Sequence, residues 1–245
     1  MCGAVWRPVI GELDSSFRTL AWDFPNHGSA PRLPMPVDWW AFGDWARRQV
    51  EACEKPIIGV GHSMGGASLV MAELLAPSSF AGLLLFEPML FPPPYRRAEN
   101  HLSQVVRKRR PRFESRRAAR ENFGGKEPFM SWHPDALAGY LDCGLVATET
   151  DEMLLACTPE AEADVYEGAF AHGAWERLGE IETPSLIMAG SASDSFPAEK
   201  AEQVAALFPR AGFEVVEGAN HFLPMEDPGL LARRIERLAA GVVSA

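Results

Sequence analysis

Ser63 stands at the centre of the stretch Gly61-His62-Ser63-Met64-Gly65, which fits the pattern G-x-S-x-G. In that pattern the glycines allow a sharp turn between a strand and a helix, and the turn exposes a nucleophilic serine. A serine hydroxyl is a weak nucleophile at neutral pH, so it needs a histidine base and a third group that orients the base. The stretch therefore predicts acyl transfer on Ser63, provided that such partners follow.

The same glycines also fit a second kind of site. Gly59, Gly61 and Gly65 form a loosened dinucleotide-binding fingerprint, and Glu87 follows at about the separation expected of an acid that binds ribose. Such a fingerprint usually opens its domain, however, whereas here a predicted strand and a long predicted helix come first. The spacing also departs from G-x-G-x-x-G, so the hydrolase interpretation is favoured.

Partners for Ser63 follow two later strands of the predicted sheet. Asp194 comes after the apolar run 184–190, and His221 comes after the run 213–217. Ligands of open α/β sheets bind outside the carboxyl ends of the strands, so these side chains are expected near the serine. The order serine, acid, histidine is also the order that the G-x-S-x-G turn requires.

The elements that must position these residues alternate along the chain. Apolar runs flanked by Gly, Pro or Asp predict strands at 17–23, 57–62, 81–87 and 184–190, with a shorter one at 213–217. Patterns of helical period predict helices at 37–53, 63–75, 197–208 and 228–240. This alternation predicts an α/β fold in which helices cover both faces of a mostly parallel sheet.

One long interval breaks the alternation. Residues 92–181 contain several segments of helix length and no convincing strand, which predicts a helical cap inserted into a core formed by residues 1–91 and 182–245. Residues 96–120 are rich in Arg and Lys. This basic segment is either a solvated helix face or a surface that docks anions or contacts the acidic remainder of the chain.

Composition limits the possible partners and compartments. The chain has 245 residues with 47% hydrophobic and 23% charged residues, which is typical of a soluble globular protein. Its net charge of −10 argues against nucleic acid as a partner, and no apolar run is long enough for a membrane span. The four cysteines form no C-x-x-C pair, so we expect reduced thiols and a cytoplasmic location. No cluster has metal-ligand spacing, and neither a metal nor another cofactor is expected.

The motifs together resemble the α/β-hydrolase superfamily, in particular its cap-bearing esterase, lipase and haloperoxidase-like branch. The resemblance rests on "GHSMGG" (61–66), "GSASDSFP" (190–197), "GANHFLPMEDP" (218–228) and "DFPNHGSAP" (23–31). The last is similar to the family's D-x-x-G-H-G loop, with Asn26 in a glycine position. The resemblance implies Ser63 as the nucleophile, His221 as the general base and Asp194 as the acid. Glu87 is the alternative acid, because some relatives place the acid after the preceding strand.

The resemblance also implies an oxyanion hole. Met64, the residue after the nucleophile, is expected to supply one backbone N–H. The second donor normally comes from a His-Gly loop upstream of a Trp-containing helix, and "MCGAVWRPVIGEL" (1–13) is similar to that helix. The loop and its strand would then lie ahead of Met1. We therefore expect the chain to lack the N-terminal strands of the family.

The expected substrate is a small-to-medium apolar carboxylic ester. Candidate pocket residues are His62, Met89, Phe91, Trp132 and Phe222. Lyase chemistry and cofactor-free haloperoxidase chemistry use the same triad and stay open, as does a ligand-binding homologue with little turnover. Dehalogenase and epoxide hydrolase chemistry are disfavoured, because both need a carboxylate at position 63. The sequence leaves the oligomeric state undecided.

Overall fold

The computed structural model describes residues 1–243 of the chain. The helices are α1 Arg7–Glu12, α2 Trp40–Glu51, α3 Met64–Leu75, α4 His101–Arg107, α5 Arg116–Gly124, α6 Pro134–Cys143, α7 Pro159–Gly168, α8 Ala198–Leu207, α9 Leu223–Glu226 and α10 Pro228–Val243. Short 3-10 helices lie at Gly3–Trp6 and Ala174–Glu180. The strands are β1 Ile58–His62, β2 Gly82–Phe86, β3 Arg112–Phe113, β4 Leu145–Ala147, β5 Met153–Leu155, β6 Ser185–Gly190 and β7 Ala211–Val216.

The principal sheet has the strand order β1-β2-β6-β7, and each neighbouring pair is parallel. Strand β2 lies inside the sheet, and its side chains from Leu83 to Phe86 are fully buried. Such a strand has to be apolar on both sides, which explains its unbroken run of large apolar residues. The predicted α/β fold with a mostly parallel sheet is therefore confirmed.

One predicted strand is absent from the described part of the chain. Residues 17–23 form neither a helix nor a strand, and Leu20 is 68% exposed. An apolar, extended run forms a strand only where a neighbouring strand supplies hydrogen bonds. The prediction of a strand at 17–23 was wrong for that reason.

The contacts within the chain divide it into two compact units. The first unit comprises residues 1–37, 98–167 and 224–232, and the second comprises residues 38–97, 168–223 and those from Arg233 onward. The parallel sheet belongs to the second unit. The assignment of residues 92–181 as a cap stays a prediction.

Within the first unit, a small antiparallel sheet has the order β3-β5-β4. The expectation that the interval 92–181 has no strand was wrong. These strands are only two or three residues long, so they cannot show the alternation that identifies a strand in a sequence.

A disulfide joins Cys2 and Cys143 in the first unit. It connects the start of the chain to the end of α6, while Cys53 and Cys157 are free. The expectation of four reduced thiols was therefore wrong, because cysteines far apart in sequence came within bonding distance when the unit folded. Disulfides persist mainly in oxidising compartments, so this bond weakens the argument for a cytoplasmic location.

Part of the basic segment 96–120 is neutralised inside the first unit. Its arginines reach carboxylates that lie later in the chain, in the pairs Arg107–Glu167, Arg109–Glu162, Arg112–Glu152 and Arg116–Asp142. Of the possibilities raised by the sequence, contact with acidic residues of the same chain therefore applies to these four arginines.

Among residues 1–243, no helix combines the length and the apolar character needed to cross a membrane.

Candidate active site

Ser63 lies in the single-residue turn between β1 and α3. Its backbone has φ 56° and ψ −122°, a conformation that a non-glycine residue adopts only at a cost of about 1–3 kcal/mol. The Ser63 N–H donates to the Phe86 carbonyl at 3.0 Å, and the Ser63 carbonyl accepts from the N–H groups of Ala67 and Met89, each at 3.2 Å. Backbone hydrogen bonds on both sides of the turn therefore hold the strained conformation.

The glycines around Ser63 are required by the close approach of strand and helix. A Cβ atom added at Gly61 would lie 2.6 Å from the Cα of Gly66, and one added at Gly66 would lie 3.0 Å from the Cβ of Pro88. The first contact is to backbone and the second is to a rigid proline ring, so neither can be relieved by rotating a side chain. These two glycines thus have a steric function in the turn itself.

His221 is paired with a buried carboxylate, that of Glu87, which directly follows β2, the strand beside β1. Its Nδ1 lies 2.5 Å from Oε2 of Glu87, and the exposed fractions of the two side chains are 12% and 0%. An ionised carboxylate only accepts hydrogen bonds, so Nδ1 carries the proton and Nε2 is left as the basic nitrogen. This is the tautomer that a general base needs.

Further donors hold the Glu87 carboxylate in place. Oε1 accepts from the Gly190 N–H at 2.9 Å, and Oε2 accepts from the Ser193 hydroxyl at 2.8 Å as well as from His221. Ser193 was missed in the sequence, where a serine in a loop carries no distinctive signal. A fully buried carboxylate with three donors is well suited to orient a histidine.

Asp194, the acid predicted from the sequence, does not occupy this position. Its side chain is exposed, and its Oδ1 accepts from the Ser195 hydroxyl at 3.1 Å. The loop after β6 brings Ser193, the preceding residue, to the carboxylate instead. The expected pairing of His221 with Asp194 is therefore corrected: Glu87, the alternative acid, is the carboxylate that contacts His221.

His62 adds a second imidazole beside His221. Its ring centroid lies 4.5 Å from that of His221 and 6.4 Å from that of Phe222. The side chain is 6% exposed, and burial, together with the neighbouring His221, places the pKa of His62 well below its usual value. His62 is therefore neutral and forms part of the wall around His221 rather than a second base.

Two other predicted pocket residues follow Glu87 in the second unit. Met89 donates its N–H to the Ser63 carbonyl, as described above, and Phe91 stacks on Phe170 with ring centroids 4.3 Å apart. Phe170 is 43% exposed, so this pair presents aromatic surface to solvent.

Trp132 and Met64 complete the predicted set. Trp132 belongs to the first unit, where it packs in an aromatic cluster with Phe129 and Tyr140. Met64 is the first residue of α3, and the first N–H groups of a helix have no partner within the helix. The structure thus gathers Ser63, Glu87, Met89 and His221 with their aromatic neighbours in the second unit.

One group of described residues has the spacing of a metal site, namely Cys2, Asp23 and Cys143. The two cysteines are joined to each other, and the Asp23 carboxylate accepts hydrogen bonds from the Gly3 N–H and from Ser29. A disulfide sulfur is not the thiolate that binds a metal, so this group does not fit one.

Comparison with known proteins gave consistent results. The family model described as "Alpha/beta hydrolase family" matches residues 2–234. Among curated proteins, the abhydrolase domain-containing protein ACTT2 of Alternaria alternata is 32% identical over 84 residues, which are 34% of this chain and 31% of that protein. The matched region thus spans less than a third of the length of that relative.

Several solved structures share the fold. The peroxisomal alpha-beta-hydrolase Lpx1 of Saccharomyces cerevisiae has a TM-score of 0.84 at 18% identity, covering 100% of this chain and 75% of that one. An esterase of Mycobacterium tuberculosis, Rv0045c, has a TM-score of 0.74 at 15% identity, covering 98% and 80%. A thermophilic esterase from Thermogutta terrifontis has a TM-score of 0.69 at 20% identity, covering 99% and 86%. At these identities the similarity concerns the fold alone.

Proposed function

The chain belongs to the alpha/beta hydrolase family, and on that basis we propose that it is a serine hydrolase that cleaves carboxylic esters of small-to-medium apolar compounds. The observation that carries the proposal is the buried Glu87–His221 pair, which lies in the same compact unit as the strained Ser63 turn. A histidine held by a carboxylate, together with a serine on such a turn, is the arrangement that activates a hydroxyl for acyl transfer.

The proposed reaction proceeds through an acyl-enzyme. Nε2 of His221 takes the proton from the Ser63 hydroxyl while its oxygen attacks the ester carbonyl, and the Met64 N–H stabilises the developing oxyanion. The protonated His221 then gives this proton to the leaving alcohol as the carbon–oxygen bond breaks. Water, deprotonated by the same nitrogen, hydrolyses the acyl-enzyme and regenerates Ser63.

We assign the acid of this triad to Glu87. Its carboxylate accepts the Nδ1 proton of His221, so it fixes the tautomer and stabilises the imidazolium that forms in each half of the cycle. Burial strengthens this interaction, because charges interact more strongly away from water.

The aromatic and thioether side chains near the proposed triad support an apolar substrate. Met89 and Phe91 follow Glu87 directly, Phe222 follows His221, and His62 is neutral. Clefts lined by such side chains bind apolar acyl or aryl groups, whereas a charged substrate would need a paired charge. We also propose that residues 92–181, which include α4 to α7, are a cap on this site.

Turnover of p-nitrophenyl esters of increasing acyl length tests the proposal. Each added CH₂ that enters an apolar pocket contributes about 0.8 kcal/mol, so kcat/KM should rise about 4-fold per carbon until the pocket is filled. Ser63→Ala should lower kcat on the order of 10,000-fold or more.

The outcome that would refute the proposed function is equally clear. If the folded protein hydrolyses no ester of the series, the ester hydrolase proposal fails. If Ser63→Ala hydrolyses the esters as fast as the unaltered protein, Ser63 is not the nucleophile.

A further inference from the structure

His172 is a buried histidine with a defined tautomer. The residue is 8% exposed, its Nε2 lies 2.9 Å from the Met89 carbonyl oxygen, and its Nδ1 lies 3.2 Å from the Ala174 backbone nitrogen. A carbonyl only accepts a hydrogen bond and a backbone N–H only donates one. Nε2 therefore carries the proton, Nδ1 does not, and the ring is neutral.

Two tryptophans at the start of α2 fix the position of His172. Its ring stacks on Trp39 with centroids 5.3 Å apart and an angle of 18° between the planes. The indole N–H of Trp40 donates to the His172 carbonyl at 2.7 Å. Because the ring and the backbone are held separately, His172 cannot turn without losing contacts on both sides.

Met89, which accepts the hydrogen bond from His172, is in direct contact with the turn of the proposed nucleophile. The Met89 carbonyl accepts from His172, while the Met89 N–H donates to the Ser63 carbonyl at 3.2 Å. Met89 is also only two residues after Glu87, and Pro88, which lies between them, packs against Gly66 in the first turn of α3. The segment 87–89 thus links the proposed acid to the nucleophile turn.

We propose that His172 is a positioning residue that holds the segment 87–89 against Ser63 and so keeps the Glu87–His221 pair in register with the nucleophile. The proposal rests on the proposed serine hydrolase function. His172 contacts neither substrate nor reacting atoms, and it acts through the backbone of Met89.

The electrostatic environment agrees with this assignment. Burial is the main cause that lowers the pKa of His172 below its usual value, while the hydrogen bond to the Met89 carbonyl and the charge of Asp38 oppose the shift. The hydrogen bond from the Ala174 N–H requires the neutral form, because a proton on Nδ1 would face that N–H.

Substitution at position 172 tests the proposal. His172→Phe keeps an aromatic ring against Trp39 but has no hydrogen-bonding atoms, whereas His172→Gln can supply both a donor and an acceptor. With p-nitrophenyl butyrate, His172→Phe should lower kcat about 10- to 100-fold with little change in KM, because a misplaced catalytic group affects the reaction more than ground-state binding. His172→Gln should recover most of the loss. His101→Phe, at an exposed histidine of α4, is the matched control and should have no effect.

A measurement without substrate separates this proposal from the proposed function. The short hydrogen bond from His221 to Glu87 should give a far-downfield proton resonance, identified by its loss in His221→Ala. His172→Phe should shift or broaden this resonance, and His172→Gln and His101→Phe should leave it in place. If the unaltered protein hydrolyses no ester, the hydrolase proposal fails, but this resonance still reports on positioning.

The contrary result is a folded His172→Phe protein with an unchanged resonance and unchanged kcat, which would overturn the proposal. If His172→Phe does not fold, Trp40→Phe replaces it, because that change removes the donor to the His172 carbonyl while an aromatic ring stays at position 40. A smaller loss of kcat in the same direction is then expected, and an unchanged kcat together with an unchanged resonance would again contradict the proposal.

Discussion

Glu87 directly follows β2 and has a positive φ of 46°, a conformation that a residue with a long side chain seldom adopts. Its carboxylate is nevertheless fully buried and accepts hydrogen bonds from Gly190, Ser193 and His221. Strained residues that the surrounding structure holds in place cluster at functional sites. Ser63 and Glu87, at the ends of two neighbouring strands, both have such a backbone.

A comparison of two acid-to-amide substitutions tests which carboxylate serves His221. Glu87→Gln should lower kcat on the order of 1,000- to 10,000-fold, because an amide facing Nδ1 permits the wrong tautomer of the histidine. Asp194→Asn should change kcat less than about 3-fold, because the Asp194 carboxylate is exposed and contacts Ser195 rather than His221. Steady-state kinetics on one p-nitrophenyl ester give both values, and the reverse ranking would return the role to Asp194.

Sequence patterns located the proposed nucleophile and base but not the acid's neighbours. Ser63 lies in a contiguous motif, and His221 follows a strand that was predicted in nearly the right place. The choice between Asp194 and Glu87 depended on where loop side chains point, which a sequence of short polar residues does not determine. Ser193 and His172 gave no signal, because each acts through contacts with residues distant in the chain.

At the level of elements, the structure agrees with the prediction where an element has a clear apolar pattern in the sequence. Helices α2, α3, α8 and α10 and the four strands of the parallel sheet each lie within a few residues of their predicted bounds. These elements have long apolar patterns, which local sequence can reveal. The short strands β3 to β5 and the disulfide depend on tertiary contacts, and residues 17–23 have the composition of a strand without a strand to pair with.

Reduction of the Cys2–Cys143 disulfide should destabilise the first unit. The bond joins residues 141 apart in sequence, and a loop of this size contributes roughly 3–5 kcal/mol by restricting the unfolded chain. Dithiothreitol should therefore lower the Tm by about 10 °C, as measured by differential scanning calorimetry.

The matched variants for this experiment are Cys143→Ser and Cys53→Ser. Cys143→Ser should melt at the lower temperature with or without dithiothreitol, whereas Cys53→Ser, at a free cysteine, should respond as the unaltered protein does. An unaltered protein whose Tm does not respond to the reductant would show that the bond contributes little to stability.

On the scale of the whole molecule, the family match and the fold predicted from the sequence agree. The family model extends over residues 2–234, and the alternation of strands and helices already predicted the parallel sheet. The net charge of the whole chain does not show how acidic and basic residues are paired within it. The acidic excess of −10 includes carboxylates such as Glu162, Glu167 and Asp142, which neutralise arginines of the basic segment.

The central claim is that Ser63 is an activated nucleophile, and covalent labelling of the whole protein tests it most directly. A fluorophosphonate probe should add one adduct per chain by intact mass, and peptide mapping should place that adduct on Ser63, because only a serine with an adjacent base reacts at a useful rate. Ser63→Ala should remain unlabelled. A folded protein that gains no adduct, or that carries it on another residue, would contradict the claim.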